Sequence, residues 1–409
     1  MNILLINHYA GNRDYGMEFR PYYMAREWLK QGHSVTIIAS SFSHLRQKNP
    51  DVKNNFQEEV VDGVKYVWLK GNAYGGSVAR IRNISSFVWK LLIYARKISK
   101  KYTPDLVIAS STYPLDNIPA HKIARIAKAK HCYEAHDIWP LSPLVIGGYS
   151  KYHPFILVMQ WAENYACKKS DKVISLLWNS EMHYQECGLK PGKYACVPNG
   201  YSQTDWADEI VNKDLPLEYQ IVFDSLSEKI VVGFAGGIVP SGALGTLVRA
   251  ANELKDNHKI HFVIVGNGPD KQELEGFVKN NNLSNVVFLP AVPKVFIPAL
   301  NKRFSIAYMG GVHSILHQYG TSYNKMTDYM LSGKPIIQAI DEPGCIAQKV
   351  GCGLQVEAEN PQKVADAIVR LAEISEEERS AMGEKGREYA KANLEWGTLA
   401  RRFLEFMSS

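Results

Sequence analysis

The chain is short of the features that would give several protein classes away at once. Its six cysteines, at positions 132, 167, 187, 196, 345 and 352, form no CxxC pair and show no His/Cys metal spacing. A disulfide framework and a structural metal are therefore not expected, and free thiols in a reducing compartment are. No apolar run approaches the roughly 18 to 20 residues needed to span a bilayer. The opening MNILLINHYAGN lacks a basic n-region and a cleavage site. These two absences point to a cytoplasmic protein, at most peripheral to a membrane. Charge of one sign is not in excess either. The 47 basic and 41 acidic residues leave a net charge of +6, too mild for a dedicated nucleic-acid binder but compatible with a local basic surface. There is no internal repeat, no low-complexity tract, and neither a GxGxxG fingerprint nor a Walker loop.

What is present is an ordinary globular composition, 46% hydrophobic and 22% charged over 409 residues, enough for a large core and for two domains. Apolar runs alternate with helical patterns. The first series runs through ILLI (3–6), VTIIAS (35–40), VKYVWL (64–69), DLVIAS (105–110), KHCYEA (130–135) and KVISLL (172–177). After VPNG (197–200) the pattern breaks, and 201–228 is acidic, polar and weakly periodic. A second series then runs through KIVVGFAG (229–236), HFVIVG (261–266), NVVFLP (285–290), FSIAYM (304–309), KPIIQAI (334–340) and GLQVE (353–357). Such alternation predicts parallel βαβ units. The expected fold is α/β, two doubly wound Rossmann-like domains facing a central cleft: domain one over 1–200, a connection over 201–228, domain two over 229–390, and a helix over 391–409 that either caps the second domain or crosses back to the first. Ligands in such sheets sit beyond the carboxyl ends of the strands.

Three stretches of the second domain suit an anion. GFAGGIVPSG (233–242) and VGNGPD (265–270) carry glycine at strand ends, where backbone can approach a phosphate and a helix start supplies N–H donors. In YGTSYNKMTDYMLSGKPII (319–337), Lys325 and Asp328 stand three residues apart near a helix start, which should bring them together beside its partly positive end. In the first domain, Glu18 and Arg20 precede a helix marked by Pro21, and YEAHDIWP (133–140) ends a strand with His136 and Asp137, an imidazole and a carboxylate able to take a proton. Residues 74–102 hold seven basic residues and no acidic one. Within them Ile84, Phe87, Val88, Leu91 and Leu92 recur at helical spacing, a basic amphipathic helix whose stripe packs on the sheet while its lysines face an anionic membrane.

The order VPNG, VGFAGGIVPSGALGTLVRAANEL, FVIVGNGPDKQELEGFV, NVVFLPAVP and YNKMTDYMLSGKPII resembles the donor half of the retaining family 4 glycosyltransferases, which have the GT-B fold. With GMEFRPYYMAREWLKQGHSVTII and YEAHDIWPLSP it most resembles the subgroup that builds O-antigen and capsule repeat units, including transferases of fucosamine-type sugars. The resemblance covers nearly the whole chain. It implies that Asp328 is the second of the family's acidic pair and binds ribose hydroxyls. The first acid would fall at Gly320 and is absent, so backbone around Gly320, Thr321 and Ser322 must replace its contacts. The family's Arg and Lys after the strand VVGFAGG are also missing, and Lys325 is the substitute. Lys325, the amides of Gly236 and Gly237 and a helix N-terminus would stabilise the departing diphosphate without a metal.

Gly266, Asn267 and Val292 complete the implied donor site. Glu18, Phe19 and Arg20 would lie by the acceptor, and His136 or Asp137 would orient the acceptor hydroxyl or the donor sugar. The implied reaction needs no cofactor. It moves a sugar, in an N-acetylated amino or deoxy form, from a UDP-sugar in preference to a guanosine one, with retention, to a polyprenyl-diphosphate-linked or oligosaccharide acceptor. The implied place is the cytoplasmic face of the inner membrane, with 74–102 at the bilayer and no nucleic acid involved. Two other readings stay open: a non-hydrolysing nucleotide-sugar epimerase, and a non-catalytic glycosyltransferase-like partner subunit.

Overall fold

The structure is a computed structural model that describes residues 1–409 apart from the side chain of Ser77. The chain divides into two compact units, Met1–Asn199 together with Trp396–Ser409, and Gly200–Glu395.

The first unit is built on an eight-stranded sheet. Its strands are β1 (Asn2–Ile6), β2 (Ser34–Ser40), β3 (Gln57–Val61), β4 (Val64–Leu69), β5 (Leu106–Ala109), β6 (Lys130–Ala135), β7 (Lys172–Ser175) and β8 (Tyr194–Cys196), in the order β3-β4-β2-β1-β5-β6-β7-β8. All pairs are parallel except β3 with β4. That hairpin turns on Asp62 and Gly63, both at positive φ, the Asp-Gly chemistry of a two-residue turn. Parallel strands covered on both faces must be apolar throughout, and Ile3 to Ile6 are all buried. Helices α1 (Arg20–Lys30), α2 (Ser77–Ile93), α3 (Ala95–Tyr102), α4 (Asn117–Ala127), α5 (Leu141–Gly147), α6 (Pro154–Lys169) and α7 (Glu181–Glu186) link the strands.

In α2 the expected stripe faces inward: Ile84, Phe87, Val88 and Leu91 are buried and Leu92 is half-buried. Its Asn83 accepts from the buried His8 ring at the end of β1 (2.6 Å), whose other nitrogen meets Tyr113 Oη at 2.5 Å. Burial holds this imidazole down to about 3 and hence neutral.

The second unit carries β9 (Ile230–Ala235), β10 (Ile260–Val265), β11 (Val286–Leu289), β12 (Ile306–Gly310), β13 (Ile336–Ala339) and β14 (Gly353–Val356), an all-parallel sheet ordered β11-β10-β9-β12-β13-β14. Its helices are α8 (Asp208–Val211), α9 (Leu217–Ser225), α10 (Gly245–Glu253), α11 (Lys271–Asn280), α12 (Ile297–Lys302), α13 (Asn324–Ser332), α14 (Ile346–Val350), α15 (Pro361–Glu373) and α16 (Glu376–Asn393). The stretch 201–228, expected as a connection between domains, is instead part of this unit. Leu215, Tyr219, Phe223 and Leu226 enter its core, and Tyr219 Oη donates to the Pro290 carbonyl at 2.8 Å. A few large aromatic anchors do this work without a regular apolar period.

Helix α13 stops as SGKPII foretells: Gly333 adopts the left-handed conformation after Ser332, the usual helix C-cap, and Pro335 leads into β13. The final helix, α17 (Trp396–Ser408), packs in the first unit. Its Trp396 stacks on Tyr23, and the Trp28 indole of α1 donates to the Ala400 carbonyl at 3.0 Å.

Candidate functional site

In the second unit the strand order reverses between β9 and β12, so the loops beyond those two strand ends form the crevice where a doubly wound sheet takes its ligand. The loop after β9 packs backbone against backbone on the loop after β10. Ile238 donates to the Asn267 carbonyl at 3.0 Å and Gly236 to the Val265 carbonyl at 2.9 Å. A side chain at Gly266 would start 1.9 Å from the Gly236 carbonyl oxygen, so glycine is obligatory there.

Lys325, in the first turn of α13, lies over this junction. Its Nζ sits 4.3 Å from the centre of the Phe234 ring, and a Cβ on Gly236 would fall 2.4 Å from its Cε. One turn later Tyr329 Oη accepts from the Ala235 amide at 3.1 Å, fixing α13 to the end of β9. Burial pushes the Lys325 ammonium down to about 8, and no acidic side chain offsets that effect among the described residues. A half-buried cation held by a ring face and a glycine backbone, with a helix N-terminus beside it, is an arrangement that suits an anion.

The other expected donor contacts fare unequally. Lys325 and Asp328 do not pair. Burial pushes Asp328 up to about 7, while Lys294 and the Trp206 side chain pull it back and Asp205 adds to the rise. The i, i+3 spacing shares a helix face but does not oblige two side chains to choose each other over nearer neighbours. The Gly236 amide is committed to Val265, whereas the neighbouring Gly237 amide has no protein acceptor among the described residues.

Around the missing first acid, Gly320 donates to the His317 carbonyl at 3.0 Å, and Thr321 gives both its amide (2.8 Å) and its hydroxyl (2.9 Å) to Glu342. The backbone expected to replace that acid is therefore largely engaged within the protein, and Ser322 beside it is half-buried. Val292 packs on the apolar core of this unit, and Asn267 sits exposed on its loop.

Glu342 was missed by sequence reasoning. It is a buried acid after β13, and only folding brings it to the 320–322 loop. Lys271 was missed too. Its ammonium donates to the Gly266 carbonyl (3.1 Å), Asn267 Oδ1 (3.3 Å) and the Leu289 carbonyl (3.4 Å), holding the glycine loop in place.

In the first unit the expected residues gather at the carboxyl edge of the sheet. Arg20 is not at the surface. It is buried, with Nε and Nη2 donating to Glu134 Oε1 (3.0 and 2.9 Å), Nη2 also to the Val197 carbonyl (2.8 Å), and Nη1 to the Pro198 carbonyl (2.7 Å). A buried charge needs such partners, and they leave little of Arg20 for an acceptor sugar. Glu134 also accepts from Ser110 Oγ at 2.5 Å, and His136 Nε2 lies 2.9 Å from that hydroxyl.

Burial alone would raise Glu134, but the Arg20 guanidinium, His136 and Ser110 outweigh it and hold the carboxyl at about 2. Sequence reasoning overlooked Glu134, although an acid inside a strand of a parallel sheet covered on both faces signals a buried partner. Asp137 is raised by burial, against the Ile138 amide that donates to it at 2.9 Å. The Glu18 carboxylate has no side-chain partner among the described residues, and Phe19 packs near Tyr23 at 6.3 Å between rings.

Two Rossmann-like topologies follow one another along the chain, each with polar loops at the carboxyl ends of parallel strands, the architecture of the GT-B class. The family model described as Glycosyltransferase Family 4 matches residues 15–204, and that described as Glycosyl transferases group 1 matches residues 229–373. The chain belongs to these glycosyltransferases and has the GT-B fold.

Among individual proteins it is similar to WcaI of Escherichia coli (strain K12), provisionally described as a colanic acid biosynthesis glycosyl transferase, with 26% identity over 92% of this chain and 93% of WcaI. Among solved structures it is similar to Anabaena Alr3699/HepE in complex with UDP and glucose (TM-score 0.67, 17% identity, 100% of both chains). It is also similar to WaaG, a glycosyltransferase involved in lipopolysaccharide biosynthesis (TM-score 0.65, 12% identity, 100% of both chains).

Proposed function

We propose that the chain transfers a sugar from a UDP-linked donor to a hydroxyl of a lipid-linked or oligosaccharide acceptor, with retention at the anomeric carbon, during assembly of a surface polysaccharide. The observation that carries this reading is Lys325, a half-buried ammonium with no acidic partner among the described residues, set against the glycine loop after β9. In the step itself the bond between the anomeric carbon and the β-phosphate oxygen breaks as the acceptor oxygen bonds to the same face. The acceptor proton passes to the departing phosphate oxygen, and UDP leaves. Lys325, the Gly237 amide and the start of α13 stabilise the charge that grows on the diphosphate. Asp328 is assigned to the ribose, and Glu18, His136 and Asp137 to the acceptor side. The UDP complexes of HepE favour uridine as the base.

Thermal-shift and binding measurements test the donor. A ligand present at 100 times its Kd stabilises the folded state by about 2.7 kcal/mol. UDP is expected to raise Tm more than GDP. Asp328→Asn is expected to weaken UDP about tenfold and leave inorganic pyrophosphate unaffected, whereas Lys325→Ala weakens both. No shift with either nucleotide would refute the donor assignment. Donor turned into an epimer without acceptor would replace transfer by epimerisation.

A membrane contact in the first unit is supported by its outer helices. No helix among the described residues is long and apolar enough to cross a bilayer. On α2, however, Trp89 is 64% exposed beside exposed Ile93, and Ile146, Leu157 and Trp161 of α5 and α6 are exposed as well. Arg82 of α2 and Arg96 and Lys100 of α3 are exposed too. Each such cation is worth about 1 kcal/mol at an anionic surface, so exchanging all three for glutamine is expected to lower partition onto phosphatidylglycerol vesicles about 100-fold. Equal binding to neutral and anionic vesicles would remove this part of the proposal.

A further inference from the structure

Two helices of the first unit each carry a pair of metal-ligand side chains four residues apart. Glu163 and Cys167 lie on α6, and His183 and Cys187 lie on α7 and its C-terminal cap. Spacing of four puts both members of a pair on one helix face, and the two faces meet. His183 Nε2 is 3.0 Å from Glu163 Oε1, Cys187 Sγ is 3.4 Å from Glu163 Oε2, and Cys187 Sγ is 3.8 Å from His183 Nε2. The ligand atoms of Glu163, His183 and Cys187 all lie within 4.8 Å of one another, and Cys167, outside that triad, touches it through the Cys187 thiol. Glu163, Cys167 and Cys187 are buried, and the His183 side chain is 13% exposed. No His/Cys metal spacing was expected from the sequence, and the signal it holds is E-x3-C followed by H-x3-C.

The two separations to the Cys187 sulfur match an ion's needs, and the 3.0 Å between imidazole and carboxylate would open by a few tenths of an ångström around one. Ligand atoms about 2.0 to 2.3 Å from a zinc ion at tetrahedral angles stand roughly 3.3 to 3.8 Å from one another. A carboxylate oxygen, an imidazole nitrogen and two sulfurs are also a donor set that suits zinc. The carboxylate is oriented from behind, since Gln160 Nε2 donates to Glu163 Oε2 at 3.2 Å and to Asn164 Oδ1 at 3.0 Å. Hydrogen bonds from His183 and Gln160 would satisfy a buried Glu163 without sulfur. They give no reason for two thiols to close the remaining sides.

We propose that Glu163, His183 and Cys187 bind a zinc ion that has a structural role, and that Cys167 moves in from its contact with Cys187 to become the fourth ligand. Binding releases the thiol protons to solvent and leaves no open coordination position, so the ion takes no part in sugar transfer. It ties α7 to α6, and the chain leaving α7 runs through β8 to Val197 and Pro198, whose carbonyls accept from Arg20. The ion would thereby brace the wall that holds the Arg20–Glu134 pair.

The test is a titration of the chelator-treated full chain with Co2+, followed by displacement with Zn2+. One equivalent of Co2+ is expected, with thiolate-to-cobalt charge-transfer absorption that Zn2+ removes. Zn2+ should also raise Tm. Cys187→Ser and His183→Ala should each abolish the absorption, Gln160→Ala should weaken Zn2+ about 10- to 100-fold, and Cys196→Ala, a thiol outside the group, should change nothing. Folded wild-type protein that gives no thiolate–cobalt absorption would overturn the proposal, as would an unchanged spectrum in Cys187→Ser. Should either ligand variant fail to fold, the wild-type titration and Gln160→Ala still decide.

Discussion

Exchanging Lys325 for alanine is expected to lower kcat/KM for the nucleotide-sugar donor by about 10²- to 10³-fold, the effect of removing one preorganised group that stabilises transition-state charge. The reason is local. The ammonium is held against the Phe234 ring and the Gly236 backbone with no carboxylate beside it among the described residues. An arriving diphosphate would restore what burial has taken from it. The pH profile of kcat/KM reports the free enzyme and should be bell-shaped. Below about 7 Asp328 gains a proton and ceases to accept ribose hydroxyls. Above about 8 Lys325 loses its charge. Lys325→Arg, charged at every accessible pH, should erase the alkaline limb, and Asp328→Asn the acid limb. A wild-type rate in Lys325→Ala, or an alkaline limb that survives Lys325→Arg, would put the diphosphate elsewhere.

Glu134→Ala is expected to destabilise the first unit by about 3–5 kcal/mol, the cost of leaving one member of a buried ion pair without its partner. Arg20 and Glu134 are each 1% exposed. The sign of the pH dependence follows from the depressed carboxyl. With a folded pKa of about 2 against an ordinary value of about 4.3, the pair's contribution is complete above about 4.3. It is lost as pH falls through 2. Urea unfolding followed by tryptophan fluorescence at pH 7 measures the loss. Because the two residues touch, Arg20→Ala with Glu134→Ala should cost less than the two single losses added. A cost below about 1 kcal/mol would mean that the carbonyls of Val197 and Pro198 suffice for Arg20. Glu134→Gln, which keeps the shape, should recover part of the stability and shift the His136 ring resonances through Ser110.

The alternation of apolar runs and helical patterns determined the α/β class and the parallel sheets, because a strand covered on both faces has no alternative to continuous apolar character. Glycine at 236, 266 and 333 marked a strand end, a close approach and a helix stop for equally local reasons. Lys325 was legible as a cation at a helix start. Its neighbours were not, because the Phe234 ring lies 91 positions earlier in the chain and only the packing of α13 on β9 joins them.

Arg20 read as an acceptor-side residue until folding placed it against Glu134, 114 positions away. Glu342 reached Thr321 in the same manner, and Glu163 with Cys167 reached His183 and Cys187. Periodicity reports which face of an element is buried, whereas the partner a buried charge or thiol finds depends on which elements share a wall. That choice belongs to tertiary structure, since the desolvation that makes each partner necessary exists only after the chain has closed around it.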